Sequence, residues 1–448
     1  MEIEELKAKL RTCGVVGAGG AGFPTYAKLN NLAEVVILNC AECEPLLRVD
    51  RQLCIYYTKE ILKGLELLVK TLGAKKGIFA IKSEYKEAIA SLKAVIYEYT
   101  NIEIKILENV YPVGDEIVLV YEATSKIVPE GSLPIEVGVV VVNTETVLNI
   151  YNSVFLNIPV IYKYVTITGE VNNPKTIKVP IGTSVRECME LAGSAKIENF
   201  EIILGGPMTG KLGTLEDVIT KTSKAIIVLP KEHSIILKRH LKTSIKINRA
   251  MSVCSQCRMC TDLCPRYLLG HNIQPHKIMN ALANGITSDI KAYTSAYLCC
   301  GCGICENYAC YQGLAPSSII GELKDKLKEK GVKNTSSSIN NKVNILREGR
   351  KIPMVRLIAR LGLTKYNVNA PLADKLCSSN KVVVNLLQHI GNPTTAVVKV
   401  GDIVETSDLI GQIEEGKLGT NIHASISGVI TNIDNKGITI QARRDING

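Results

Sequence analysis

Two cysteine runs constrain this chain more than any other feature. Cys254, Cys257, Cys260 and Cys264 follow the spacing C-x2-C-x2-C-x3-C and are trailed by Pro265; Cys299, Cys302, Cys305 and Cys310 repeat the pattern as C-x2-C-x2-C-x4-C. Three thiolates stepping by three residues on one tight turn can grip three irons of a cubane, and the fourth is free to reach a neighbouring cluster, as in two-cluster ferredoxins. Structural zinc sites keep their cysteine pairs well separated and lack the triple step. Two [4Fe–4S] clusters are therefore expected, within the helical patterns of residues 240–330.

The stretch LCCGCGICENYACYQG, Leu298 to Gly313, holds a fifth cysteine, Cys300. Only Cys299 sits three residues before Cys302, and adjacent thiolates could hardly face one cluster without distorting the turn. Crossed ligation is expected: Cys254, Cys257, Cys260 and Cys310 on one cluster, Cys299, Cys302, Cys305 and Cys264 on the other, with Cys300 free. Tyr311 stands where the first run has proline. Cys13, Cys40, Cys43, Cys54, Cys188 and Cys377 have no cluster spacing, and most of them read as small buried hydrophobes. His271, His276, His389 and His423 read as structural.

A chain of 448 residues is long enough for about three domains and needs no disulfide staples. The N-terminal MEIEELKAKL is a charged helical pattern rather than a signal peptide. The most apolar stretch, Val137 to Tyr162, is interrupted by Asn143, Glu145, Asn149 and Asn152, so no membrane span is expected. A cytoplasmic setting follows, where thiols stay reduced and fifteen cysteines point to metal or redox chemistry. The net charge of +10 is scattered rather than massed, which argues against a nucleic-acid footprint and favours small anionic ligands.

The texture changes along the chain. Residues 1–160 alternate apolar runs (VVILNC, KGIFAIK, IEIKIL, VGVVVVN) with helical patterns, an α/β unit with a largely parallel sheet. Residues 161–239 give two strands around an Asn-Asn-Pro turn and a helix led by Ser184, a small α+β module. Residues 331–380 read as a polar linker (GVKNTSSSINNKVN) and a basic packing helix (RKIPMVRLIARLGL). From 381 to 448 short strands return between VGD, EGKLG and DNKG turns, so the end is expected to be all-β.

Residues 14–24, GVVGAGGAGFP, offer backbone N–H groups to a phosphate. No strand directly precedes them and no Gly-Lys-Ser/Thr follows, so neither a dinucleotide fingerprint nor a P-loop is present. GVVGAGGAGFPTYAKL followed by ILNCAECEP resembles the flavin-binding subunit of respiratory complex I, which carries GRGGAGFPTG-x-KW and then Asn-Ala-(Asp/Glu)-x-(Asp/Glu)-Pro. YPVGDE (Tyr111 to Glu116) and VVNTET (Val141 to Thr146) resemble that family's third and fourth flavin-site segments, in order. The resemblance implies that Gly17, Gly19, Gly20 and Lys28 hold the FMN phosphate, and that Asn39, Glu42 and Glu44 line the isoalloxazine and ribityl side. Tyr111, Gly114, Asp115 and Glu116 would shape the nicotinamide pocket, with Asn143 and Thr144 beneath the flavin. Ala18 departs from the family's arginine.

Domain order extends the likeness. VTITGEVNNPKTIKVPIGTSVRECMELAG resembles an SLBB β-grasp module, and the C-terminal HIGNPTTAVVKVGDIVETSDLIGQ...NIHASISGVI resembles a lipoyl-type barrel-sandwich hybrid without a lysine at its hairpin tip. The RnfC family has these parts with the barrel first. With the barrel last, the chain resembles the cobalamin reductase family of propanediol-utilising microcompartments. That family implies NADH as donor, FMN to split the electron pair and two clusters to carry single electrons. It also implies a corrinoid acceptor, an adenosyltransferase or shell protein as partner, and a place inside a bacterial microcompartment. A soluble RnfC-like shuttle to another protein carrier is the other expectation.

Overall fold

The computed structural model describes residues 1–334 and 342–443. Residues 335–341, within the expected polar linker, lie outside the described residues.

The helix Ile3–Thr12 has Glu4 and Glu5 in its first turn and Lys9 and Arg11 in its last, charges that complement the helix dipole. After it come the strands β1 (Val35–Cys40), β2 (Lys76–Lys82), β3 (Ile102–Leu107), the two-residue β4 (Val110–Tyr111) and β5 (Val139–Asn143). Apart from β4, these pair in parallel in the order β3-β2-β1-β5. Alternate residues feed opposite cores. Val36, Leu38, Phe79 and Ile81 join Ile61, Leu65 and Leu68 of the helix Thr58–Thr71, while Val35, Ile37, Ile78 and Ala80 join Leu119 and Val120 of the helix Glu116–Thr124. Burial on both faces is why these strands read as continuous apolar runs. Asn39 and Asn143 lie in register at the carboxyl ends of β1 and β5, where open α/β sheets place their ligands.

The second module begins with the antiparallel pair β6 (Tyr162–Gly169) and β7 (Lys175–Pro180). Ser184 then caps the helix Val185–Leu191, its hydroxyl accepting from the Glu187 amide at 3.2 Å. The strands β8 (Phe200–Leu204), β9 (Lys211–Gly213) and β10 (Ala225–Pro230) complete it. The segment expected to hold only a linker and a helix does more than connect. Its β11 (Ile352–Pro353) pairs with β4, and its β12 (Leu372–Leu376) lies parallel to β7, extending the sheet to β12-β7-β6-β10-β8-β9. A bare edge at β7 would leave ladder groups unpaired, and β12 covers it. Between them the helix Met354–Arg360 buries Met354, Leu357 and Ile358, the packing role its pattern implies.

The C-terminal barrel joins two sheets, the first from β13 (Lys381–Asn385), β15, β18 and β19, the second from β14 (Thr395–Ala396), β16 and β17. Here β15 is Ile403–Val404, β16 Leu409–Gln412, β17 Ile422–His423, β18 Gly428–Ile433 and β19 Gly437–Ala442. The barrel is clamped onto the rest of the chain by backbone hydrogen bonds from Ile390 to the Gly22 carbonyl (3.0 Å), Val383 to Gly182 (2.9 Å) and Asn421 to Arg11 (3.2 Å). Its IHASISG hairpin is held down, with Ser425 buried and donating to the Ile181 carbonyl and the exposed Ser427 accepting from the Thr406 amide, so it has no free tip to swing. Among the described residues no helix is long and apolar enough to cross a membrane.

Candidate functional site

The glycine-rich turn runs from the helix Ile3–Thr12 to the 3-10 turn Thr25–Lys28. Gly17 closes it by donating to the Phe23 carbonyl at 2.9 Å. Gly20 has φ +132° and open space where a Cβ would stand, so its backbone is approachable by a ligand. Ala18 faces inward instead: its amide donates to Thr146 Oγ1 at 2.9 Å, and its carbonyl accepts from Lys163 Nζ at 3.4 Å. Where the family has an arginine, this chain therefore has a buried anchor.

Beneath the turn lies a buried charge network. Lys163 pairs with Glu145, both inaccessible, and Lys224 pairs with Asp50 at 2.5 Å. Asp50 also accepts from Asn143 Nδ2 at 2.8 Å, and Asn143 abuts Gly19. Burial lowers the Lys163 pKa, although Glu145 opposes it. At Lys224 burial pulls the same way, but Asp50, Glu42 and Glu145 outweigh it and hold the ammonium above its ordinary value. Each charge is compensated, which is the condition for burying it at all.

The other segments expected at the flavin site knit together around β1. Asn39 Nδ2 donates to the Gly114 carbonyl at 2.9 Å, and Thr144 Oγ1 donates to the Asn39 carbonyl at 3.1 Å. Gly114 admits no side chain, since a Cβ would lie 2.1 Å from the Ala41 carbonyl oxygen. Lys28 pairs with Glu116 at 3.0 Å. Glu42 and Glu44 line a separate pocket with Arg48, Arg51 and Lys82. Glu42 accepts from the Val49 amide at the start of a helix, and Glu44 accepts from the Met208 amide at 2.8 Å and from the Thr209 hydroxyl. Burial pushes both carboxyls upward.

The cysteines separate into two hollows. Cys254, Cys257, Cys260 and Cys310 line one; Cys264, Cys299, Cys302 and Cys305 line the other together with Cys300. The two runs share a backbone trace, because Gln256 (φ +55°) and Arg258 (φ +66°) adopt the left-handed conformation that Gly301 (φ +70°) and Gly303 (φ +74°) adopt at matching positions. Non-glycine residues take that conformation at a cost of about 1–3 kcal/mol, so the cradle geometry outranks local preference there. The extra residue before Cys310 is absorbed by a π-helical turn, Cys305–Ala309. Among the described residues no three ligand-type side chains converge on one metal ion. A cubane spreads its thiolates over four irons, and the four cysteines of each expected set line one hollow, with Cys300 as a fifth in the second.

Neighbouring residues tie the second hollow to the α/β unit. Arg266, just past Cys264, pairs with Asp115 at 2.9 Å, and the Tyr111 hydroxyl donates to the Cys302 carbonyl. Cys300 also lines a large cleft, about 1160 Å3, whose lining includes Gly19 and Gly20, the SLBB-like hairpin at Thr209 and the barrel at Leu387. Asp50, Lys224 and Arg266 were not singled out from sequence. The partners Asp50 and Lys224 stand 174 residues apart, and no local pattern joins them. Arg266 had a faint signal in its place directly after Cys264-Pro265. Three of the histidines expected to be structural are held by hydrogen bonds: His271 to the Val128 carbonyl, His276 to Thr261, and His389 to the Thr420 amide. Cys13, Cys40, Cys54 and Cys188 are buried, whereas Cys43 and Cys377 are half-buried.

Comparison with known families divides the chain in the same sequence of modules. Residues 10–152 match the Nuo51 FMN-binding domain, 164–210 the SLBB domain, 253–315 the 4Fe-4S dicluster domain and 364–445 the RnfC barrel sandwich hybrid domain. The chain is 39% identical to the cobalamin reductase PduS of Salmonella typhimurium over 98% of its length and 97% of that protein's. It is 37% identical to the Citrobacter freundii cobalamin reductase PduS over the same shares. A component of the Na(+)-translocating ferredoxin:NAD(+) oxidoreductase complex of Acetobacterium woodii is 33% identical to it, over 62% of each chain. With these modules and that identity across nearly its whole length, the chain belongs to the PduS family of oxidoreductases, which combine an FMN-binding domain with a 4Fe–4S dicluster domain.

Proposed function

We propose that this protein takes electrons from NADH at the glycine loop and passes them through two [4Fe–4S] clusters to a corrinoid, reducing cob(III)alamin toward cob(II)- or cob(I)alamin. The observation that carries the reading is that Gly19 and Cys300 line one cleft, while Cys300 also lines the second cysteine hollow. The loop and the cysteines thus meet in one cleft.

The residues fit the groups. Gly17, Gly19, Gly20 and Lys28 would hold the phosphate of FMN, with the open face of Gly20 toward it. Asn39, Gly114, Asn143 and Thr144 shape the floor beside them, and the Lys224–Asp50–Asn143 chain keeps that floor rigid. FMN supplies the conversion of a two-electron hydride into single electrons. The protein's part is to orient the nicotinamide, exclude water and tune potentials through hydrogen bonds at the cysteines; one example is the Gly301 amide, 3.4 Å from Cys299 Sγ. No side chain need act as nucleophile.

Location inside a bacterial microcompartment, beside an adenosyltransferase or shell protein, belongs to the same proposal and rests on the family likeness. The alternative, a shuttle to a protein carrier, is favoured by the exposure of Cys257 at the outer hollow. The test is anaerobic reconstitution with iron, sulfide and flavin analysis, then NADH titration with and without hydroxocobalamin. About eight irons, about one FMN and NADH-dependent cobalamin reduction are expected. Reduction of viologens but never of cobalamin would transfer the reading to the shuttle.

A further inference from the structure

We propose that the barrel side of the large cleft binds the corrinoid, which gives the C-terminal module a substrate-binding role; this rests on the corrinoid-reducing reading above. The cleft, about 1160 Å3, exceeds the roughly 300–1,000 Å3 of ordinary ligand pockets. The glycine loop contributes Gly19, Gly20 and Ala21 to its lining, and the barrel contributes Asn385, Leu386 and Leu387 with Asn435 and Lys436 of its last hairpin.

The chemistry of that wall suits one ligand class. A corrin is a broad apolar ring fringed with uncharged acetamide and propionamide groups. Amides and hydroxyls at Asn385, Asn435, Thr220, Thr222 and Ser223 can bond such a fringe, and Leu387 and Pro393 offer apolar surface for the ring. The charges on the lining offset one another, Lys211 and Lys436 against Glu216, Asp217 and Asp434.

The wall is also fixed in place. The Ile390 amide bonds the Gly22 carbonyl, and buried Lys221 bonds the carbonyls of both Gly14 and Asn421 at 2.8 Å. Cys300, at the same cleft, adjoins the second cysteine hollow. A corrinoid seated here lies beside a one-electron source. NADH yields two electrons and a proton in becoming NAD+. Two corrinoids each accept one electron, cobalt passing from +3 to +2 with release of its upper axial water.

The experiment measures hydroxocobalamin binding by equilibrium dialysis to the reconstituted holoprotein, to Leu387→Trp, which narrows the cleft, and to Asn435→Ala at the exposed hairpin tip. We expect Kd to rise about tenfold in the first and several-fold in the second, with flavin and iron content as in the parent. The chain has no other tryptophan, so corrinoid bound to Leu387→Trp should also quench its fluorescence. Unchanged affinity in both variants without quenching overturns the site. Loss of NADH bleaching with hydroxocobalamin affinity intact likewise overturns it and assigns the cleft to the nicotinamide. A parent protein that neither binds nor reduces hydroxocobalamin overturns the functional reading itself.

Discussion

The hydroxyl of Tyr111 donates a 2.6 Å hydrogen bond to the backbone carbonyl of Cys302, joining β4 of the α/β unit to the turn that carries the second set of cysteines. Together with the Arg266–Asp115 pair it fixes how the two modules meet. Tyr111→Phe removes the donor and leaves the carbonyl short of a partner, an expected loss of about 1–2 kcal/mol in chemical denaturation. Arg266→Ala strands Asp115 in a mostly buried position and should cost more, about 3 kcal/mol. Equal midpoints for the two variants would show that the ion pair contributes no more than the hydrogen bond.

Two glycines predict opposite outcomes. A Cβ at Gly19 would meet Asn143 at 3.5 Å, ordinary contact, so Gly19→Val should fold. Its branched side chain would nonetheless crowd the approach to the loop. Flavin content should fall below about a tenth of the parent's while iron content holds. At Gly114 a Cβ would stand 2.1 Å from the Ala41 carbonyl oxygen and 2.8 Å from Cys43 Sγ. Gly114→Ala should therefore lower stability by about 1–3 kcal/mol, read as a drop in Tm. Full flavin in Gly19→Val would remove the loop from the flavin site.

Much of this was legible because it is local. The parallel sheet showed in four apolar runs, the helix start in Ser184, and the grouping of the cysteines in their spacing. What escaped the sequence depends on distant partners. β12 was hidden in a segment that reads as connection, because only the open edge of β7 makes Leu372–Leu376 a strand. Glu42 and Glu44 sit in the right motif, yet their carboxylates bond the Val49 and Met208 amides, contacts that only the folded loop brings into reach. The barrel's place beside the glycine loop appears only when Ile390 is seen bonded to Gly22.

The five cysteines of the second run yield a separate test. Cys300 lies in the second hollow, but its neighbour Cys299 already holds the position three before Cys302. Cys300→Ser should keep about eight irons and an unaltered reduced EPR spectrum. Cys310 lines the hollow of the first run, so Cys310→Ser should perturb that cluster although it lies in the second run's sequence. In metal-free protein Cys257, the exposed member, should be alkylated before buried Cys264 and Cys305. Loss of a cluster in Cys300→Ser would overturn the ligand choice.

Lys221 provides the pH dependence. Its ammonium is fully buried among Gly14, Thr420 and Asn421, and burial lowers its pKa to about 7, with Cys13 opposing only weakly. In the unfolded chain it returns to about 10.4. Between those values the unfolded state binds a proton that the folded state lacks, so stability rises with pH. The rise should be up to about 1.4 kcal/mol per unit from pH 7 toward 8, flattening below 7 where both states are protonated; above about 8.5 the thiols of Cys13 and Cys188, raised by burial, contribute a fall. His423, held down to about 3 first by burial and then by Lys221, contributes its own rise only at acid pH, so the measurement starts at pH 7. Lys221→Met leaves the Gly14 and Asn421 carbonyls without their donor and should lower Tm at every pH, and it should also make the slope shallower. A slope between pH 7 and 9 as steep in Lys221→Met as in the parent would show that another group titrates there.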